Sequence, residues 1–424
     1  MEQRWGAPHN RGVTDPDPTP HAEVATPVAA GARAGRRRAK PRRSHTVGRV
    51  LVATLVVLGM VSGLSVTYLY RHYSDNLTVL DIEDQLVGER PDKVDVAGPQ
   101  EPLNVLVMGS DSRDGEGNNI DGLTGGGERS DTTLLLHLSA DRERAYGVSI
   151  PRDSMVDRPT CRTEDGTEIP AESYTMWNEA FQLAGPACTI QQFEELSGIR
   201  LDHFVVVDFE GFQGMVDAVG GVEVCIPETI DDRAHGIYLE AGTRKLEGIQ
   251  ALNYVRERYA LSGGSDIGRM KRQQAFIASM ASTVLSSDTL ARPDRLLAFL
   301  EAATESLTLD EGLGNLVRIA RLGYEFRGIG ADKVQFMTIP NSVDPQDPNK
   351  LVWTEDAAGV WNALAEDEPL TKKLRSDVIS AGKVPGSSSG DSGDSGGSSG
   401  SGGGNGGGNG LASDEALEAA GLCT

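Results

Sequence analysis

The chain has 424 residues, 38% of them hydrophobic, and sets 40 Lys and Arg against 62 Asp and Glu, a formal net charge of −22. That length suits about two or three domains, and that charge excludes a general nucleic-acid binder, because neutralising phosphates takes a basic surface. Four cysteines in so long a chain exclude a small disulfide scaffold, and the lack of any C-x-x-C pair or H-E-x-x-H excludes the usual zinc frameworks.

The charge is unevenly spread. Residues 1–49 hold ten Lys and Arg and four Asp and Glu, a balance of +6, which leaves −28 for the chain beyond them. This first segment is rich in Pro, Ala and Arg and has no helical or strand period, so it reads as a disordered basic tail. Its cluster Arg36, Arg37, Arg38, Lys40, Arg42 and Arg43 runs directly into an apolar stretch, which favours a topology signal over a nucleic-acid arm. Val50–Tyr70 carries no charge and, at about 1.5 Å per residue, spans the hydrocarbon thickness of a bilayer. Tyr68 and Tyr70 stand at its far end, as an interfacial belt does. The run is long for a core helix or a cleaved signal, and no small-x-small site closely follows it. The sequence therefore predicts one transmembrane helix at 50–70 in the cell membrane, with the basic tail cytoplasmic and everything later extracellular.

Residues 71–101 are polar, with Pro91 and Pro99, and read as a stalk. A globular domain is expected at 102–380. Its predicted strands are 103–110, 132–140, 145–150, 203–209, 222–226 and 333–339. Its predicted helices are 174–184, 189–197, 211–219, 246–255, 267–286, 292–306 and 311–326. Strands interleaved with helices predict an α/β fold with a central sheet flanked by helices. Residues 381–410 form a Gly/Ser-rich linker by composition. The tail 411–424 has room for one short helix ending at Gly421.

Five clusters stand out, each at the end of a predicted element. They are Gly109-Ser110-Asp111-Ser112-Arg113, Arg129-Ser130-Asp131-Thr132, Ser149-Ile150-Pro151-Arg152-Asp153, Val255-Arg256-Glu257-Arg258-Tyr259, and Asp266 to Gln274 with Arg269 and Gln273 four apart on one helical face. Open α/β sheets place ligands where strands end. Residues i and i+2 share a side only in extended chain, so the helix before Arg258 should stop near Arg256. Asp266 is the expected N-cap of the next helix. Arginine forks match phosphate oxygens, and carboxylates among them suit a hard divalent cation. Phosphoryl transfer needs mainly such positioning and charge neutralisation. The chain has no Walker A sequence and no G-x-S-x-G elbow between a predicted strand and a predicted helix. A phosphate-bearing substrate outside the cell must therefore arrive already activated. His137 and His203 read as structural. Cys161 and Cys188 bracket an insertion and are the expected disulfide of an exported domain. Cys225 reads as a buried thiol, with pairing to Cys188 or Cys423 left open.

Taken together, G-x-D-x-R at 109–113, R-S-D-T at 129–132, S-I-P-R-D at 149–153, W-N-E-A-F at 177–181, D-A-V-G-G-V at 217–222, L-x-G-x-x-A-L-x-Y-x-R-x-R at 246–258 and G-R-x-x-R-Q-Q at 268–274 make the chain resemble the LytR–CpsA–Psr family of cell-wall glycopolymer transferases, over roughly residues 102–290. The resemblance implies a three-layer α/β/α sandwich with a central mixed sheet and an apolar groove for a polyprenyl chain. It implies a phosphotransferase that moves a glycopolymer from a polyprenyl-pyrophosphate carrier to a peptidoglycan hydroxyl, muramic acid O6, during cell-wall assembly. Asp111 and Asp131 would hold Mg²⁺, with Mn²⁺ as the alternative ion. Arg129, Arg152, Arg256, Arg258, Arg269 and Gln273 would grip the pyrophosphate. Asp131, Arg152, Arg256 and Arg258 would serve catalysis, with Arg113, Asp153 and Asn178 supporting them. The implied partners are the lipid-linked glycan, peptidoglycan and the cytoplasmic membrane, with no nucleic acid. Two departures are visible. Trp177 stands where the family's motif usually has an aliphatic residue, and no cysteine lies near Thr243 to pair with Cys225. The competing readings are a polyprenyl-pyrophosphate pyrophosphatase and a non-catalytic wall-binding or regulatory membrane protein.

Overall fold

A computed structural model describes residues 46–96, 98–111, 130–233, 236–258, 261, 266–286, 292–375, 377–385 and 413–423. The first helix, α1 (Thr46–Asp75), contains the expected span. Among the described residues it is the one helix long and apolar enough to cross a membrane, with a mean hydropathy of 2.2 over its most apolar stretch. Its Val50–Tyr70 side chains are exposed.

The domain beyond it is built on an eight-stranded mixed sheet. In chain order the strands are β1 (Thr78–Leu80), β2 (Leu103–Ser110), β3 (Ser130–Leu138), β4 (Ala145–Ile150), β5 (His203–Val207), β6 (Leu307–Asp310), β7 (Val334–Thr338) and β8 (Ile379–Ser380). Their spatial order is β1-β6-β5-β2-β3-β4-β7-β8. The β1–β6, β2–β5 and β4–β7 pairs are parallel and the others antiparallel. The helices are α2 (Glu179–Ser197), α3 (Phe209–Ala218), α4 (Gly248–Arg256), α5 (Asp266–Leu285), α6 (Pro293–Ser306), α7 (Leu316–Arg327), α8 (Glu355–Ala365) and α9 (Asp414–Ala419).

Strand alternation makes this a three-layer sandwich. Leu106, Met108, Leu135 and Val148 share one core with Phe181, Ile190 and Phe193 of α2 and with Val360 and Trp361 of α8. Leu134 and Leu138 face the other way, sharing a second core with Ala275 and Ala278 of α5. A third core gathers Val216, Val222, Val224, Leu252, Tyr254 and Phe276 under the hairpin of 222–226 with 242–246. Local signals fix the element ends. Asp208 Oδ1 accepts the Gly211 N–H at 2.7 Å and caps α3. Gly198 takes φ 69° and ends α2 by donating to Glu194 O.

The structure revises several expectations. Residues 174–184 are not one helix: Glu172–Met176 pairs with Met155–Arg158 as a hairpin, and helix begins at Glu179. Inside α2, Gly185 at φ 62° before Pro186 breaks the winding, which is why the sequence reads as two helices there. The expected stalk, 71–101, packs on the domain rather than hanging from it. Its β1 is an edge strand of the sheet, Ile82 joins the core, and Arg90 is ion-paired to the buried Glu194 at 2.5 Å. The domain also continues past residue 380, since Ala381 and Val384 are buried.

Cys161 and Cys188 form a disulfide with Cα atoms 5.2 Å apart. Cys225 is not a thiol but is bonded to Cys423, 198 residues away. The C-terminal tail docks on the sandwich with Leu417, Ala420 and Leu422 buried beside α5.

Candidate functional site

The sheet register assembles the site. Ser110 at the end of β2 lies opposite Ser130 at the start of β3, and Thr133 lies opposite Ile150 at the end of β4. Three neighbouring strands thus deliver the first three clusters to one end of the sheet. Pro151 stops β4 there, because it has no N–H to continue a ladder.

A cleft of about 610 Å³ opens at this end, lined by Asp111, Arg152, Asp153 and Asn178 together with Met176, Glu179, Gln182, Leu183 and Lys350. The Arg152 Nε is 3.5 Å from Asp153 Oδ2. Backbone bonds fix the opposite wall: the Trp177 N–H donates to Ser154 O at 2.8 Å and the Asn178 N–H to Arg152 O at 3.4 Å. Trp177 is itself buried, and its indole N–H donates to Thr133 Oγ1 at 3.0 Å. The aromatic ring therefore ties the Asn178 turn to β3. Asn178 Oδ1 is buried and accepts no hydrogen bond among the described residues. A buried acceptor of this kind calls for a donor or a cation from a ligand. Tyr174, at the far side of the hairpin, donates to Asp344, and that hydrogen bond pushes its hydroxyl up to about 12.

The other two clusters are hydrogen-bonded to the same end. Helix α4 stops at Arg256, and Glu257 is extended (φ −57°, ψ 133°), as the spacing of the two arginines demands. The Arg256 guanidinium carbon lies 4.9 Å from the centre of the Phe209 ring. From α5, the Gln273 amide donates to Val255 O at 3.1 Å and accepts from Thr132 Oγ1 at 3.4 Å. Gln274 donates to Ser149 Oγ at 3.0 Å and to Thr338 Oγ1 at 2.8 Å. Arg272, fully buried, donates to Glu257 O. Arg269 is also buried. Motif residues of α5 thus join the ends of β3, β4 and α4.

Arg113 and Arg129 lie outside the described residues, as do the side chains of Asp131 and Asp266. The backbone of Asp131 opens β3 beside Ser130.

Of the two carboxylates expected to hold a divalent cation, Asp111 lines the cleft and the side chain of Asp131 lies outside the described residues. Asp111 and Asp153 bring hard oxygen donors to one cleft that also holds the Asn178 carbonyl oxygen. Among the described residues no group of three or more His, Cys, Asp or Glu gathers as a ready-made cage. Magnesium needs none, since it is commonly held by one or two carboxylates and the phosphates of its substrate.

Sequence reasoning missed Lys350, Glu179, Gln182 and Leu183. The last three follow Asn178 on the first turns of α2 and were legible as its continuation. Lys350 carries no motif. It reaches the cleft because the next residue, Leu351, donates its N–H to Asp153 O at 3.1 Å, and Trp353 donates its indole N–H to Ser154 Oγ at 3.2 Å.

The LytR_cpsA_psr family model matches residues 69–366. The cell wall biosynthesis protein LcpA of Corynebacterium glutamicum is 33% identical over 67% of this chain and 60% of its own length. A polyisoprenyl-teichoic acid–peptidoglycan teichoic acid transferase, TagU of Halalkalibacterium halodurans, is 30% identical over 62% of this chain and 80% of its own. The match thus spans about three fifths of the corynebacterial relative. Among solved structures, protein gbs0355 of Streptococcus agalactiae superposes with a TM-score of 0.50 at 21% identity, covering 64% of this chain and 90% of its own, a likeness of fold.

Proposed function

The chain belongs to the LytR_cpsA_psr family, and on that premise we propose that it is a membrane-anchored phosphotransferase of cell-wall assembly. In this reading it moves a glycopolymer from a polyprenyl-pyrophosphate carrier to a peptidoglycan hydroxyl, muramic acid O6. The observation that carries the reading is the convergence of Asp111, Arg152, Asp153 and Asn178 on one cleft, at a sheet end to which the Arg256–Arg258 segment and α5 are also bonded. TagU is named for the same class of transfer. The long, exposed apolar helix α1 supports a membrane anchor, and the basic residues before it favour a cytoplasmic N-terminus with the domain outside the cell. A polyprenyl tail leaves a bilayer at about 0.8 kcal/mol per CH₂, so an enzyme acting on it has to work at the membrane.

In the proposed reaction the acceptor oxygen forms a bond to the phosphorus that bears the glycan. The bridging P–O bond of the pyrophosphate breaks, and polyprenyl phosphate leaves with the electron pair. The acceptor proton passes to a carboxylate of the cleft. Arg152, Arg256, Arg258, Arg269, Arg129 and Gln273 hold the pyrophosphate oxygens and offset their charge. Asp111 and Asp131 hold Mg²⁺, which when bound neutralises phosphate charge. Asn178 and Asp153 keep the Arg152 turn in place, and Arg113 is assigned a supporting part.

The test uses the full chain in detergent micelles with Mg²⁺, a short polyprenyl-pyrophosphoryl oligosaccharide and an uncrosslinked peptidoglycan oligomer. Mass spectrometry should find a phosphodiester-linked product that EDTA abolishes and that Arg152→Ala lowers by about a hundredfold or more, the usual loss on truncating one partner of a buried charge contact. Polyprenyl phosphate released without linked product would make the protein a pyrophosphatase. Lipid binding without turnover would make it a binding protein.

A further inference from the structure

The most unexpected element of the fold is the docked tail. Helix α9 ends in a Schellman turn: Gly421, at φ 67°, donates to Glu418 O, and Leu422 donates to Leu417 O at 2.9 Å. Both leucines of that turn are buried beside α5. The next residue, Cys423, is bonded to Cys225 in the hairpin over the third core. The tail is thus clamped at both of its contacts, by apolar burial and by a covalent bond.

The turn leaves the Ala420 carbonyl facing the domain, and Arg272 Nη1 donates to it at 3.2 Å. The other prong of the same guanidinium, Nη2, donates to Glu257 O, the carbonyl between Arg256 and Arg258. Arg272 is 0% exposed. Burial pulls its pKa below the ordinary arginine value, against the attraction of Tyr254 and Glu257. A fork whose two prongs hold two backbone carbonyls is rigid in a way that one prong is not. Gln273 adds a parallel brace to Val255 O.

We propose that residues 413–423 form a disulfide-anchored strap that positions the Arg256–Arg258 turn through Arg272. Arg272 is a positioning residue here: it acts on the turn and not on a ligand. With the strap in place the fork is held at both prongs. With the strap released, one prong loses its acceptor, water reaches a buried guanidinium, and the Glu257 turn loosens. The consequence for pyrophosphate binding rests on the function proposed above; the ordering of the turn does not.

The test uses full-length protein in micelles and two readouts, hydrogen exchange of the backbone amides at 254–258 and calorimetric binding of geranylgeranyl pyrophosphate. Leu417→Asp undocks the strap, and Cys423→Ser removes only the covalent anchor, so a poorly folded first variant leaves the second to decide. Arg272→Lys keeps the charge but not the fork. Each should speed exchange at 254–258 and weaken pyrophosphate binding about tenfold, the loss expected from one charged hydrogen bond. Exchange at the β2 and β4 amides should stay as in the parent. Faster exchange with unchanged pyrophosphate affinity supports the strap and refutes the arginine clamp of the proposed function. Exchange at 254–258 unchanged in Leu417→Asp and Cys423→Ser would overturn the proposal.

Discussion

Gly147 offers a sharp test of how the sheet sets the site. It lies in the middle of β4, opposite Phe336 of β7 in parallel register. A Cβ built on it falls 2.4 Å from Phe336 Cδ1 and 2.6 Å from Cε1. Carbon atoms in contact sit about 3.5–4.0 Å apart, so the ring would have to retreat by about 1 Å. It has nowhere to go, being 2% exposed and packed in the core that also holds Leu134 and Ile379. Gly147→Ala should therefore cost about 1–3 kcal/mol, the range for overpacking a closed core. Phe336→Val removes both offending ring atoms and alone should cost about 2–3 kcal/mol for the cavity it leaves. In the double variant the new methyl enters that space, so the combined loss should fall short of the sum by about 1–2 kcal/mol. Urea unfolding of the four chains in micelles, followed by tryptophan fluorescence, measures the cycle. Because β4 runs directly into the Arg152 turn, Gly147→Ala should also weaken geranylgeranyl pyrophosphate binding, and Phe336→Val should restore part of it. Additive losses, within about 0.5 kcal/mol, would show that steric conflict with this ring is not what keeps position 147 a glycine.

Other perturbations have equally definite outcomes. Asp367, at φ 53°, touches His137 at 3.2 Å and accepts the Ala140 N–H at 2.9 Å. Burial opposes its charge, but the His137 and Ala140 hydrogen bonds and the Arg144 charge outweigh that and hold its pKa below 3.8. A carboxyl depressed in this way stabilises the fold above pH 3.8 and stops doing so as the pH falls below it. Asp367→Asn, which tolerates the same backbone, should lose about 1–3 kcal/mol at pH 7 and show a flatter acid limb in pH-dependent unfolding; an acid limb as steep as the parent's would contradict this. Removing the Cys161–Cys188 bond with a double Cys→Ala variant opens a loop of 27 residues and should cost about 3.5 kcal/mol, measured as a shift in urea midpoint under non-reducing conditions. Trp177→Phe removes the bond to Thr133 and should cost about 1–2 kcal/mol in the same assay, with a weaker response to added Mg²⁺ and pyrophosphate because Asn178 is next in the chain.

Much of the central layer was legible because strand and motif coincide. LNVLVMGS and AYGVSI are β2 and β4 to the residue, since short apolar runs closed by Gly-Ser or by Pro leave few other readings. Extended chain after Arg256 was legible too, from the bare requirement that two arginines two apart share a side. The failures came where periodicity is silent. Tyr174–Met176 has helix-like spacing toward Phe181, but its partners in Met155–Arg158 are far enough away in sequence that only tertiary pairing makes it a strand. The strand Thr78–Leu80 is three residues long and offers no period at all; it is a strand because β6 lies beside it.

The site divides along the same line. Charged residues at element ends are visible in a sequence, and the clusters at Asp111, Arg152 and Arg256 were found that way. What holds them in place is largely backbone carbonyls, which have no sequence signature. Arg152 O receives Asn178, Asp153 O receives Leu351, Val255 O receives Gln273 and Glu257 O receives Arg272. Those donors come from three different segments, and Leu351 sits in no recognisable motif. Lys350 enters the cleft through such a contact, and the tail reaches Arg272 through another, Ala420 O. The tail was the hardest case, because Leu417, Ala420, Leu422 and Cys423 follow a long Gly/Ser stretch that isolates them from any periodic context. Their meaning lies in what they touch: a buried guanidinium on α5, and through it the turn that carries two of the arginines.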